Sequence, residues 1–201
     1  MRYFWSIENS KIRGARYYLA CGIISFSLST LIEFFFDEIT VFVLLFDLIG
    51  CLLLFFGLLI IDGGKLTKKS ILIATALAVR LCLVLTDRWG VFTFLLDLSF
   101  TLLVLFGEIF VLEGYAAKLN YYGDEKKATI LGRLINALAR SEICLWCVFI
   151  ISYVSSLLAF PALLLMLWSV LVRMGCSFLV FKKVNCSKPL FEFARKRFLH
   201  H

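Results

Sequence analysis

Residues 39–64 read ITVFVLLFDLIGCLLLFFGLLIIDGG, and the first twenty-three of these positions decide the fold. They carry one charged side chain, Asp47. A helix that crosses a bilayer core of about 30 Å needs roughly 20 mostly apolar residues. A transmembrane barrel strand would alternate apolar and polar positions over about ten residues. Leu52-Leu53-Leu54-Phe55-Phe56 does not alternate. Backbone groups in lipid must find their partners inside the segment, so the expected form is a helix. Working outward, five further runs qualify: 17–36, 70–86, 91–112, 143–159 and 161–181.

The rest of the composition agrees. The 201 residues are 62% hydrophobic and only 17% charged, with a mean hydropathy of +0.94 and two prolines. A soluble domain carries about 25% charged residues. A soluble globular domain, a disordered tail and a disulfide-stapled secreted module are thereby excluded. The expected fold is an all-α integral membrane protein, residues 1–201 forming one domain of six transmembrane helices in three hairpins.

Lys and Arg set the orientation. Eighteen of the 21 fall in the N-terminal segment (Arg2 to Arg16), the second loop (Lys65, Lys68, Lys69), the fourth loop (Lys118, Lys126, Lys127, Arg133, Arg140) and the tail from Lys182 onward. The opposite loops hold Arg88 alone. This asymmetry predicts both termini on the cytoplasmic side, in a multi-pass protein of a cell membrane (the inner membrane, if the source is bacterial). The net charge of +7 then favours anionic lipid headgroups on the cytoplasmic face rather than nucleic acid. The first run is too long for a signal peptide and reads as a retained anchor. Tyr3, Trp5, Tyr17, Tyr18 and Trp89 suit an aromatic belt. A second copy or a protein partner stays open.

The longest polar stretch runs from 113 to 142. Within it, residues 125–140 place Ile130, Leu131, Leu134, Ile135 and Leu138 on one helical face, with Lys126, Lys127, Arg133 and Arg140 largely off it. This segment is either an interfacial amphipathic helix or a cytoplasmic extension of the fifth span. Gly123 marks the turn before it. The tail 190–198, with Phe191, Phe193 and Phe198 among basic residues, is a second candidate for surface attachment.

Residues 31–64 laid over 81–114 match at twelve of 34 positions, Asp47 falling on Asp97 and Gly57 on Gly107. That is the pattern of a parallel hairpin repeat. Hairpin units with small residues in the second helix, as in residues 48–57, resemble the bacterial HdeD-like acid-resistance membrane proteins. The resemblance implies six spans built from hairpin repeats, with no catalytic residues to carry over. Of the proline often seen at the bend, only Pro161 in the third unit is present.

Charges inside the spans are the functional signal. Asp47, Arg80, Asp97, Glu108 and Arg173 are the deep ones, while Glu33 lies near an outer end. At about 1.5 Å per residue, Asp47 and Asp97 lie roughly 12 Å and 9 Å from the outer surface, and Arg80 roughly 15 Å from the inner one. Each would cost about 2.5–3.5 kcal/mol at the centre of an isolated helix, so they should face inward and pair. The expected pairings are Arg80 with Asp47, Asp97 or both, and Arg173 with Glu108 across an apparent depth difference of roughly 7 Å. Such a set either forms a polar intramembrane site or locks helices together.

Other chemistry is sparse. His200 and His201 are the only histidines and read as the remnant of a tag, so no metal ligands, catalytic residues or cofactor motif are visible. Asp62-Gly63-Gly64 lacks the Ala-Arg and spaced aspartates of membrane CDP-alcohol phosphotransferases. Cys144 and Cys147 form a C-x-x-C, a redox candidate set against the plainer role of small apolar side chains. Three functions follow as expectations: a non-enzymatic protein for small-solute or proton translocation or membrane stress tolerance; a subunit docking a cytoplasmic partner through Lys126, Lys127 and Arg133; and a quinone-linked thiol oxidoreductase.

Overall fold

Close packing between α1 (Arg2–Phe35) and α2 (Val41–Ile61) frames the computed structural model. The structure describes residues 2–35, 41–85, 91–121, 124–152 and 159–182. A side chain added at Gly22 would meet Leu54 at 2.9 Å and the Gly50 carbonyl at 3.2 Å; at Gly50 it would meet the Phe26 ring at 3.0 Å. Gly57 lies under Leu19 and Tyr18. The contacts descend α1 as they climb α2, so the helices are antiparallel. Gly50 and Gly57, seven residues apart, share the face that lets α1 approach.

Four further helices follow: α3 (Lys68–Leu85), α4 (Val91–Tyr121), α5 (Glu125–Ser152) and α6 (Ala159–Phe181). Each packs on the next, and α6 returns onto α1 to close the bundle. Leu19, Ile23, Leu54, Ile73, Leu112 and Leu138 fill the core. Phe42, Phe56, Phe106, Leu171 and Phe178 point outward. An apolar outer surface of this kind suits lipid and would be an aggregation liability in water. Four segments, Gly14–Glu33, Phe42–Ile61, Leu95–Tyr121 and Phe160–Phe181, are long and apolar enough to cross a membrane.

One end of the bundle gathers the start of α1 and the ends of α2, α4 and α6. Lys118 on α4 donates to the last α2 carbonyl, Ile61, at 2.7 Å. Tyr115 Oη donates to Val180 at 3.2 Å and Lys127 Nζ to Lys182 at 2.6 Å, both carbonyls at the end of α6. Cations here complement the partial negative charge of helix C-termini.

Helix stops explain the turns. Gly64 N–H donates to Leu59 O at 2.7 Å and Gly63 N–H to Ile60 O at 3.4 Å, with φ of +83° and +68°. This is the six-to-one and five-to-two pattern of a Schellman stop, which needs glycine at the left-handed position. Asp62-Gly63-Gly64 is therefore a helix terminus, and its carboxylate accepts a hydrogen bond from Thr67 at 2.9 Å. Thr67 opens α3, its N–H donating to Ser70 Oγ at 2.7 Å as in a capping box.

The span boundaries need correction between 113 and 142. α4 does not end at 112 but continues to Tyr121, with Tyr115 and Leu119 buried. Of the two readings of residues 125–140, the structure has the extension of the fifth apolar run and not a separate interfacial helix: they are the first half of a continuous α5. Asp124 caps it, its carbonyl 3.0 Å from Ala128 N. Leu131, Ile135 and Leu138 join the bundle core, leaving Ile130 exposed. A helical apolar stripe has the same period whether it meets lipid headgroups or neighbouring helices, so periodicity alone could not separate the two.

The fifty-residue match is not reproduced in the packing. Gly57 and Gly107 correspond in it, and carrying the same offset back to Leu19, which packs on Gly57, would bring Lys69 onto Gly107; instead Gly107 receives Ile73, one turn further on, and Lys69 reaches Gly114. Arg88, Trp89, Gly123 and the tail 190–201 lie outside the described residues, as do the side chains of Tyr3 and Trp5.

Filling the α1–α2 contact should loosen the bundle. Gly22→Val should lower stability by about 1–3 kcal/mol, read as an earlier transition in a denaturing-detergent titration. Gly132→Val, where nothing lies within 4 Å of an added Cβ, should leave stability unchanged or raise it by about 0.2–0.4 kcal/mol, since valine is the better helix former.

Candidate functional site

Five charged residues picked out in the sequence, joined by Glu142, fall into two clusters, each an arginine between two carboxylates. The first joins three helices. Arg80 on α3 contacts Asp47 on α2 through Nη2 at 2.6 Å and Asp97 on α4 through Nη1 at 3.1 Å. Ser29 on α1 donates to Asp47 Oδ1 at 2.5 Å. The Phe100 ring lies 4.8 Å from the guanidinium carbon, a cation–π contact. Arg80 Nε is buried and has no hydrogen-bond partner among the described residues.

The second cluster joins α4, α5 and α6. Arg173 Nε donates to Glu108 Oε2 at 3.0 Å, and Nη1 meets Glu142 Oε1 at 3.0 Å. Ser169 donates to the same Glu142 oxygen. Glu108 Oε1 is buried without a partner among the described residues.

The two clusters differ in access. The side chains of Arg173, Glu108 and Glu142 are 5%, 0% and 4% exposed, a sealed site. Those of Arg80 and Asp47 are 2% and 5% exposed, but that of Asp97 is 37% exposed. The first site is therefore open on one carboxylate. Glu33 is exposed at the same level of the bundle and interacts electrostatically with all three members.

Each cluster holds two carboxylates against one guanidinium. A guanidinium fork can serve two carboxylates at once. The formal count still leaves one excess negative charge per site, which a low-dielectric interior holds only with a proton or a cation added. Among the described residues, no group of three or more His, Cys, Asp or Glu side chains is placed to hold a metal ion.

Sequence reasoning missed Glu142, Ser29 and Ser169. Glu142 was placed in the fourth loop, and the uninterrupted α5 brings it inside. The apparent 7 Å offset between Arg173 and Glu108 had the same origin. Tyr115 bonds Val180, and each partner residue lies seven positions before its own end of that bond. Once α4 is extended past 112, the pair is level. Cys144 and Cys147 are free thiols exposed on α5. Lys126 and Arg133 are exposed, but Lys127 is buried in the bundle, so the three do not form one docking surface.

Comparison with protein-family models, curated proteins and solved structures finds no match to this chain.

The sealed cluster makes a sharp stability forecast. Arg173→Ala leaves two buried carboxylates uncompensated and should cost about 3–5 kcal/mol. Combining Arg173→Leu with Glu108→Leu and Glu142→Leu should recover most of that loss. Thermal inactivation in detergent, followed by size-exclusion chromatography, measures both; a triple variant as unstable as Arg173→Ala would show that charge balance is not the cause.

Proposed function

We propose that this chain is a non-enzymatic membrane protein of six spans, termini cytoplasmic, whose Asp47–Arg80–Asp97 cluster is an exchangeable intramembrane proton site. It serves proton-linked translocation of a small solute or tolerance of membrane stress.

One observation carries this reading: a buried guanidinium grips two carboxylates, and one of them, Asp97, keeps 37% of its side chain exposed. Intramembrane charge is costly and marks ion pathways by default. The open carboxylate gives the excess charge a route to exchange its proton. The sealed Arg173 cluster has no such route and is assigned to holding α4, α5 and α6 together.

Six spans rest on two further supports. Lys and Arg gather at the bundle end where α2, α4 and α6 finish. α3 packs against both α2 and α4, and Arg80 lies twelve residues, about 18 Å, inside it. A topology reporter fused after residue 88 should fall on the opposite side from reporters fused after residues 65 and 124. The same side for all three would mean that α3 does not cross.

Function is tested in liposomes containing the purified chain and a pH-sensitive dye. Wild type should pass protons down an imposed gradient faster than empty liposomes. Asp97→Asn should lower that flux by at least about tenfold, since it removes the exchangeable carboxyl, while leaving the chromatographic profile unchanged. Wild-type flux equal to that of empty liposomes, or unchanged flux in the variant, would overturn the reading.

A further inference from the structure

Away from both arginine clusters, Arg16 and Lys127 lie at the end of α6, where Lys182 follows. Arg16 on α1 donates through Nη2 to Tyr17 Oη at 2.7 Å, and the Tyr17 ring packs edge-on against Phe181 with centroids 5.1 Å apart. Lys127 on α5 is 7% exposed. Its ammonium donates to the Lys182 carbonyl at 2.6 Å and lies 6.0 Å from the Tyr115 ring centroid. Lys182 itself is exposed just past α6.

Burial pushes the Lys127 ammonium below the usual lysine range; Asp124 opposes that, and Arg16 and Lys182 reinforce it. Lys127 thus lies within electrostatic reach of both Arg16 and Lys182, with Asp124 the carboxylate that opposes them. Arg16 Nε is also buried, with no hydrogen-bond partner among the described residues. Such a guanidinium edge, within electrostatic reach of Lys127, suits an anion that brings several oxygens.

We propose that Arg16, Lys127 and Lys182 form a binding site for a phosphate group. A phosphate supplies more acceptor oxygens than a carboxylate and up to two negative charges, which suits three cations of different reach. The group can belong to an anionic phospholipid headgroup or to free phosphate. The site shares no residue with the Arg80 cluster, so either can fail without the other.

The test uses the full chain in zwitterionic detergent. One arm adds phosphatidylglycerol or phosphatidylcholine and reads retained lipid by native mass spectrometry, together with the melting temperature. The other adds inorganic phosphate or chloride at matched ionic strength. Phosphatidylglycerol should be retained over phosphatidylcholine if the source is a headgroup; inorganic phosphate alone should raise the melting temperature if it is free phosphate.

Combining Arg16→Gln with Lys182→Gln should weaken the response by at least about tenfold, as expected when charge-assisted hydrogen bonds are lost. Lys126→Gln with Arg133→Gln, removing two exposed cations outside the site, should leave it unchanged. Equal responses to both lipids and to both salts would overturn the proposal, and that comparison needs only wild type should the first variant not fold. Loss of the response in the second variant would equally overturn it, because it would mean diffuse surface charge.

Discussion

A guanidinium placed between two carboxylates is the constraint on which this bundle depends. Removing a charge from water is expensive, and an apolar surround offers nothing in return except another charge. Arg80 and Arg173 each recruit partners from two other helices, so five helices, α2 to α6, are fixed in register at two levels. Helix α4 contributes to both, through Asp97 and Glu108. Eleven residues separate them, which is three helical turns and about 16 Å, so they occupy nearly the same face. That face is the one α4 turns to the interior, and it accounts for the central place of α4 between α3 and α5.

Close glycine packing supplies the remaining order. Between α1 and α2 there is no ion pair among the described residues; Ser29 donates to Asp47 and to the Val43 carbonyl, and glycine faces at 22, 50 and 57 bring the helices close. In lipid, apolar contact gives no hydrophobic gain over tail contact, so shape and a buried hydroxyl do the holding. At the basic end, Lys118, Tyr115 and Lys127 tie helix C-termini across the bundle. They do so with hydrogen bonds to carbonyls that no helix can satisfy by itself.

What the sequence made legible follows from which quantities were one-dimensional. Helical class, the apolar runs and the Arg80 pairing depend on counting residues along a helix, and counting suffices. The deep acids and bases could be found because lipid makes them rare. Glu142 was not legible, because Lys126, Lys127, Arg133 and Arg140 make its surroundings look like a loop. Those cations instead decorate the outside of a continuous helix whose other face carries Leu131, Ile135 and Leu138 into the core. Lys127 was misjudged for a related reason. Its charge suggested the surface, but its reach lets the ammonium cap α6 while the stem is buried. The span ends carried the same error onward, which is why Arg173 and Glu108 looked offset.

The separation of the two clusters limits any proton-carrying mechanism. Between Asp97 and Glu108 on α4, the buried side chains are Phe100, Val104 and Leu105, none of which relays a proton. Thr101 directs its hydroxyl to the Asp97 carbonyl, one turn back in its own helix, rather than toward Glu108. Over about 16 Å, a chain of hydrogen bonds would need several polar steps, and the described side chains of α4 supply none. On the proposed reading, then, the bundle is not a static proton wire. The Asp97 carboxyl exchanges with one side, and passage to the other requires α4 to move against α3 or α5. The clusters suit such motion, because arginine is long and forked and can keep one carboxylate while releasing another. The sealed Arg173 cluster would act as the fixed point, and the Arg80 cluster, with its exposed carboxylate, as the part that changes partners.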